Sequence, residues 1–177
     1  MAAQAIPSGL RALFAGESAS DGFLDALMPA VCDALACERS LLFLREPRRK
    51  MLHTHGWWRR PEQAHPIEDG WSAEPATIAE DDPLFAEALS NPAALYIDDI
   101  EGAAPGVLNL ELERAQYRHR AFIHAPIYSD GRLYGILEPC VFDRPREWSL
   151  EDRAITAWLQ ERLGPIAQDY VAANCPE

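Results

Sequence analysis

The residues best suited to chemistry lie together in the stretch "LYGILEPCVFDRPREW" at 133–148. An apolar run leads directly to a carboxylate, Glu138, and a thiol, Cys140. A thiol at the end of a buried strand can act as a nucleophile or hold a chromophore, and a carboxylate can contact a ligand. Either side chain can also serve packing alone, and the residue types leave these roles open.

Alternation along two neighbouring segments places further groups beside Glu138, because successive side chains of a strand point to opposite faces. Four side chains share one face of the strand predicted over 132–141: Tyr134, Ile136, Glu138 and Cys140. Three share one face of the strand predicted over 120–128: Phe122, His124 and Pro126. A buried carboxylate is costly without a partner. We therefore expect Glu138 to pair with Arg120, with His124 or with a donor on a ligand.

The remaining cysteines and histidines predict no metal site. The four cysteines include no C-x-x-C pair, which argues against a four-cysteine zinc site. His53 and His55 share a strand face and could chelate a metal, but the sequence offers no evident third ligand, so packing at an edge strand is the preferred interpretation. Lys50 is the only lysine, and a P-loop needs a lysine after its glycines, which Lys50 does not provide.

Composition limits the class of protein. A chain of 177 residues, 48% of them apolar, is sufficient for one domain with a sizeable core. The net charge of −12 opposes nucleic-acid binding, and the arginines between residues 45 and 60 are interpreted as solvated strand ends. No apolar run is long enough to span a membrane, and the N-terminus does not resemble a signal peptide. The expected location is the cytoplasm.

The pattern of elements predicts an α+β fold. Helices are expected after a cap at Ser18 or Ser20, with a kink or restart at Pro29, and again from the capping box Ser149–Asp152 to about Val171. Strands are expected at 39–46, 51–58, 94–100, 120–128 and 132–141, a long loop at 59–81, and short helices at 81–90 and 106–119. This order predicts an antiparallel sheet of five to six strands, covered by helices on both faces. The domain is expected at 19–173, after an N-terminal segment at 1–18 and before a tail at 174–177.

Over about residues 20–171 the chain resembles a GAF domain, the small sensor module of bacterial signalling proteins. The resemblance is carried by "LACERSLLFL", "YIDDI", "RAFIHAPIYSDGRLYGIL" and "WSLEDRAITAWLQERLGPIA". The "PREW" motif makes it most similar to the cyanobacterial bilin-binding and phytochrome-like GAF domains. The resemblance implies that the two alternating faces line a ligand pocket, with eight candidate contacts: Phe122, His124, Tyr134, Ile136, Glu138, Cys140, Tyr117 and Asp98.

Three motifs of known GAF domains are missing from this sequence, and their absence limits the ligand or activity that is expected. The position of the bilin-attachment cysteine falls at or near Asn109, and an amide cannot form a thioether, so no covalent bilin is expected. The N-K motif of cyclic-nucleotide GAF domains is missing, since Arg49 precedes Lys50. Methionine-sulfoxide reductases of this fold use several cysteines near the pocket, where only Cys140 is expected here.

The sequence thus predicts a stand-alone GAF-like sensory or regulatory domain, not an enzyme, that binds a small molecule or a protein partner without a covalent cofactor. The alternatives are a structural or assembly protein with a degenerate, filled pocket and, third, a small thiol redox enzyme. A homodimer through the terminal helices is also predicted, on the basis of an apolar stripe in the last helix: Ile155, Trp158, Leu159, Leu163, Ile166 and Tyr170.

Overall fold

The sheet at the centre of the fold has six antiparallel strands in the order β3-β2-β1-β6-β5-β4. The structure is a computed structural model that describes residues 6–16, 19–67 and 70–177. The strands are β1 Arg39–Glu46, β2 Met51–Trp58, β3 Ser72–Ala73, β4 Leu95–Ile97, β5 Ala121–Ser129 and β6 Arg132–Val141. The α+β class and the number of strands predicted from the sequence are confirmed.

Three helices cover one face of the sheet, which we call the helical face. They are α1 Ser8–Ala15, α2 Asp21–Ala34 and α6 Leu150–Asn174. Leu10 and Phe14 of α1 are buried in the same core as α2 and α6, so part of the predicted N-terminal segment packs with the domain. In the described residues, no helix is both long enough and apolar enough to cross a membrane.

Helix α2 begins at the cap predicted from sequence and continues through Pro29. Ser20 caps it, with its Oγ accepting from Phe23 N at 3.3 Å, whereas Ser18 lies outside the described residues. Of the kink or restart predicted at Pro29, the structure shows no restart, since one helix runs through this residue. A proline removes only one intrahelical hydrogen bond. We attribute the continuity to the six side chains that α2 buries along its length.

Helix α6 begins at the predicted capping box. Asp152 N donates to Ser149 Oγ at 3.1 Å, and Ser149 N donates to Asp152 Oδ2 at 2.9 Å. The apolar stripe of α6 is used within the chain. Five of its six side chains are buried in the core. The sixth, the half-buried Trp158, packs edge to face against Phe14, with 4.9 Å between the ring centroids.

The opposite face, which we call the cavity face, is covered by short helices and connecting segments. The helices are α3 Ile78–Asp81, α4 Pro83–Ala88 and α5 Leu110–Leu112, and a π-helical turn follows at Glu113–Tyr117. The loop predicted over 59–81 is therefore broken by α3, by the short strand β3 and by a 3-10 turn at Pro61–Gln63. We call residues 61–67 and 70–82 the covering segment.

A β-bulge changes which face Tyr134 occupies. Ile127 pairs with Gly135 and Tyr128 pairs with Leu133, so Tyr134 is an extra residue with no partner in the register. Beyond the bulge, Leu133 joins Ile136 in a cluster on the cavity face, while Tyr134 packs against the core of the helical face. The prediction that Tyr134 shares a face with Glu138 is wrong, because strict alternation fails at a bulge.

Candidate functional site

A cavity of about 550 Å³ lies between the cavity face of the sheet and the covering segment. Its floor comes from three adjacent strands. In the pairing of β1 with β6, Leu41 lies opposite Glu138 and Phe43 lies opposite Ile136, and His124 of β5 adjoins them. Sites for small molecules are commonly cavities of roughly 300–1,000 Å³ with a mainly apolar lining and a few polar groups.

The polar centre of the floor is a buried pair. His124 Nδ1 and Glu138 Oε1 lie 2.7 Å apart, and both side chains are at least nine-tenths buried. Each side chain has one further polar atom with no hydrogen-bond partner among the described residues: His124 Nε2 and Glu138 Oε2. Buried polar atoms of folded proteins are nearly always hydrogen-bonded. Two such atoms beside a cavity are therefore well suited to contact a bound molecule.

Apolar and aromatic side chains form the walls. Phe43 and Tyr117 meet edge to face at 6.1 Å between ring centroids. Phe85 of α4 also lines the cavity. Burial raises the pKa of the Tyr117 hydroxyl, helped by nearby carboxyls such as Glu138, so this hydroxyl stays protonated. It can donate a hydrogen bond to a ligand.

Asp82 adds a second carboxyl to the cavity. It caps α4, since its Oδ1 accepts from Leu84 N at 3.0 Å and from Phe85 N at 3.2 Å. Burial raises the pKa of Asp82, and the charge of Glu138 contributes to this increase. From the sequence, Asp82 was predicted only to lie in the short helix at 81–90. Its place in the cavity depends on how the covering segment folds back over the sheet.

Side-chain contacts hold the covering segment to the sheet, in addition to the pairing of β3 with β2. Arg45 Nε donates to Glu74 Oε2 at 2.6 Å in a nearly buried ion pair, and Arg39 Nη1 lies 3.2 Å from His65 Nε2. Gly56 of β2 permits the close approach, because a Cβ there would lie 2.5 Å from Ile67 Cδ1. A larger residue at this position would displace the wall formed by Ile67.

A buried polar network lies behind Tyr117. Arg39 Nη1 donates to the Tyr117 carbonyl at 2.7 Å, and its Nη2 donates to His119 Nδ1 at 3.0 Å. Burial and the charge of Arg39 hold the pKa of His119 well below its usual value. The neutral His119 therefore carries its proton on Nε2 and donates it to Glu113 Oε2 at 2.7 Å. Burial raises the pKa of Glu113 to about 9.

The sequence analysis missed this network. The one signal was Arg39, a charged residue at the start of the apolar strand "RSLLFL". Its partners come from the segment 113–119, and sequence spacing gives no indication that this segment folds against β1. The network fixes the backbone of Tyr117, and through it one wall of the cavity.

The structure brings four of the eight candidate contacts to the cavity: Tyr117, His124, Ile136 and Glu138. Two others, Phe122 and Cys140, share the cavity face but are buried away from the cavity. The ring of Phe122 stacks on that of His119, with 3.9 Å between the ring centroids. Cys140 is buried in the same small apolar cluster as Phe122. The expected contact of Cys140 with the pocket is therefore absent from the cavity lining described here.

Asp98 also lies away from the cavity. Its Oδ1 accepts from Trp148 N at 3.3 Å, and its carbonyl accepts from Arg146 N at 2.8 Å. It thus holds the "PREW" segment at the start of α6. Tyr134 is on the helical face, as described above.

Asn109 has a structural role at the position compared with the bilin-attachment cysteine. Its Oδ1 accepts from Leu112 N at 3.2 Å as the cap of α5, and its Nδ2 donates to the Asp81 carbonyl at 2.8 Å. Asn109 thereby joins α5 to the covering segment.

The other cysteines and histidines do not form a metal site in the residues that the structure describes. Cys32 and Cys37 are buried beside each other, with their sulfur atoms 2.8 Å apart. His53 Nδ1 lies 2.9 Å from the Gly70 carbonyl, and the rings of His53 and His55 meet edge to face at 5.4 Å.

Comparison with known families decides the classification. Residues 21–160 match the family model of the GAF domain. The chain belongs to the GAF family. Comparison of the sequence with curated proteins yields no match. The GAF assignment therefore rests on the family match, and the fold agrees with it.

Solved structures with the same fold include GAF domains of different proteins. GAF3 from Slr1393 of Synechocystis sp. PCC6803, in its photoproduct state, has a TM-score of 0.64 at 20% identity, covering 88% of this chain and 98% of that one. The GAF domain of an Acinetobacter phosphoenolpyruvate-protein phosphotransferase has a TM-score of 0.68 at 13% identity, covering 96% of each chain. The free methionine-R-sulfoxide reductase of Neisseria meningitidis, in complex with its substrate, has a TM-score of 0.63 at 15% identity, covering 93% of this chain and 87% of that one. At these identities the likeness shows the fold alone.

Proposed function

We propose that this GAF domain is a sensory or regulatory module that binds a small molecule non-covalently in the cavity beneath the covering segment. The observation that carries the proposal is the buried Glu138–His124 pair, which has one unpartnered polar atom on each residue at the floor of a cavity of about 550 Å³. A site of this kind has the size and the mixture of apolar and polar lining that small-molecule sites share.

The proposal treats the domain as a binding module and not as an enzyme. Burial raises the pKa of Cys140 to about 12. The thiolate is the reactive form of cysteine, so this thiol is poorly suited to nucleophilic or redox chemistry. Burial also raises the pKa of Cys37 well above its usual value. The third alternative, a thiol redox enzyme, has correspondingly less support.

The alternative of a filled, degenerate pocket also has less support. A degenerate pocket would be occupied by the domain's own side chains, whereas here the space between the sheet and the covering segment amounts to about 550 Å³. Phe122 does not fill this space, because its ring is stacked on His119.

The homodimer through the terminal helices stays a prediction. The apolar stripe that motivated it is buried within the chain, so such a dimer would have to use the polar outer surface of α6. Light scattering at tens of micromolar, roughly the range of a weak interface of standard size, tests it. A mass near twice 19.8 kDa supports the dimer, and a mass near 19.8 kDa contradicts it.

A pair of exposed alanines allows a controlled test of the cavity. Ala73 of β3 lines the cavity, and Ala76 is exposed outside its lining. Ala73→Trp should narrow the cavity, while Ala76→Trp adds the same side chain elsewhere. Thermal melts are recorded with and without a small-molecule extract of the expressing cells. We expect the extract to raise the melting temperature of the wild type and of Ala76→Trp but not of Ala73→Trp. Equal shifts in all three proteins, or none in the wild type, would contradict the proposal.

A further inference from the structure

Apart from its histidines, His53, His65 and His124, the described lining of the cavity has acidic ionisable groups only. Glu138 and Asp82 both line it, and among the described lining residues none is lysine or arginine. Glu138 is buried and Asp82 is half-buried, so their electrostatic effect on a bound molecule is stronger than on a surface. An anionic ligand would meet this lining without any cationic side chain to pair with.

The hydrogen-bond geometry of the floor is more specific than its charge. The 2.7 Å separation of His124 Nδ1 and Glu138 Oε1 requires a hydrogen between them. In the tautomer in which Nδ1 carries this hydrogen, Nδ1 donates it to Glu138 Oε1. In the neutral imidazole, Nε2 then has only a lone pair. In this tautomer the two unpartnered atoms, His124 Nε2 and Glu138 Oε2, are both acceptors, each on a side chain at least nine-tenths buried.

A ligand that satisfies two adjacent buried acceptors must present at least two N–H groups from one end. Ammonium and amidinium groups do so, and their charge strengthens the hydrogen bond to a carboxylate. An ester or a carboxylate would place acceptors against acceptors. A carboxamide supplies donors but no charge.

The aromatic and apolar walls of the cavity can contact the remaining, apolar part of such a ligand. The rings of Phe43, Tyr117 and Phe85 line the cavity near the carboxyls. Aromatic faces attract cations electrostatically, and this attraction increases when water is excluded. Apolar side chains such as Leu41 and Ile136 provide surface for an apolar body.

From these observations we propose that the cavity selects small organic cations, with an ammonium or amidinium group directed at Glu138 and His124 and an apolar body against the aromatic walls. This inference rests on the proposed function, since it names the class of ligand for the same cavity. It distinguishes the site from one built for an anion or for a neutral molecule.

Three probes of nearly the same size and shape test the class of ligand: benzamidine, benzamide and benzoate. Each is titrated at pH 8 into the ¹⁵N-labelled protein, and amide chemical shifts give the dissociation constant. We expect benzamidine to bind at least about tenfold more tightly than benzamide, with shifts centred on Tyr117 and Ile136. Benzoate should not bind.

Two variants link this preference to the named carboxyls. Glu138→Gln keeps an acceptor for His124 Nδ1 but removes the charge, and it should bring the affinities for benzamidine and benzamide together. Asp82→Asn keeps a cap for α4 and should reduce the preference, which provides a second test if Glu138→Gln does not fold. Glu161→Gln, at an exposed position of α6, removes the same charge far from the cavity and should leave the preference unchanged.

The outcomes separate this inference from the proposal on which it rests. Benzamide binding as tightly as benzamidine, or benzoate binding more tightly, would overturn the cation class but leave a small-molecule site in place. A preference for benzamidine that survives in both Glu138→Gln and Asp82→Asn would also overturn it. If none of the three probes binds, both the cation class and the small-molecule site lose their support.

Discussion

His124 and Glu138 join β5 to β6 by a 2.7 Å contact between Nδ1 and Oε1 at the floor of the cavity. Replacing Glu138 with alanine would leave Nδ1 of a buried imidazole without its acceptor. We expect Glu138→Ala to lower the free energy of unfolding by roughly 1–3 kcal/mol, the usual cost of leaving a buried polar group unpaired. Glu138→Gln, which keeps the acceptor, should cost less. Urea unfolding of the three proteins measures this, and an unchanged stability in Glu138→Ala would show that the pair does not support the fold.

Glu113 predicts a dependence of stability on pH. Its folded pKa of about 9 lies above its usual value of 4.5. Below pH 4.5 the Glu113 carboxyl is protonated in both the folded and the unfolded protein. Between pH 4.5 and about 9 it keeps its proton in the folded protein but loses it in the unfolded protein. Stability should therefore fall as pH rises from about 4.5 toward 9.

Glu113→Gln isolates this effect, because glutamine still accepts from His119 Nε2 but cannot ionise. Relative to the wild type we expect the variant to gain stability with increasing pH, by about 1.4 kcal/mol for each pH unit between the two pKa values. Denaturant unfolding of both proteins at pH 5 and pH 8 measures the difference. A difference that is the same at the two pH values would contradict a raised pKa for Glu113.

Any side chain larger than glycine at position 164 of α6 should clash with β5. A Cβ at this position would lie only 2.3 Å from the carbonyl oxygen of Tyr128 in β5. We expect Gly164→Ala to lower stability by about 1–3 kcal/mol, as for other overpacked positions. Gly22→Ala is the matched control, since a Cβ there meets nothing within 4 Å and the helix should gain up to about 1 kcal/mol. Thermal melts of both variants compare the two effects, and equal changes would show that α6 and β5 are not in close contact.

Asn109 predicts that the chain carries no covalent bilin. Its amide caps α5 and cannot form a thioether with a chromophore. After co-expression with bilin-synthesis enzymes and denaturing electrophoresis, we expect no zinc-induced fluorescence in the band of the protein. A fluorescent band would contradict this and show that another residue serves for attachment.

Much of the fold could be predicted from sequence because hydrophobic patterning and capping act locally. The predicted bounds of β1, β2 and β6 agree with the structure, and so do the caps at Ser20 and Ser149. Helix α1 was not predicted. It has no side-chain hydrogen bond at its cap and no acidic residue in its first turn, and its burial depends on contacts with α2 and α6.

The candidate site was predicted in part for a related reason. Alternation along two strands was sufficient to place His124 beside Glu138. The same rule failed at Tyr134, where a bulge shifts the register, and it could not show that Cys140 is buried away from the cavity with Phe122. The roles of Arg39, His119 and Asp82 depend on how distant segments fold against the sheet, which sequence spacing does not specify.

The most direct test of the central claim is the mass of the folded protein after incubation with a small-molecule extract, measured by native mass spectrometry. For the wild type and Ala76→Trp we expect one additional small mass per chain, lost on denaturation. Ala73→Trp, which narrows the cavity, should show the mass of the chain alone. An additional mass that persists in Ala73→Trp, or that is absent from the wild type, would contradict ligand binding in this cavity.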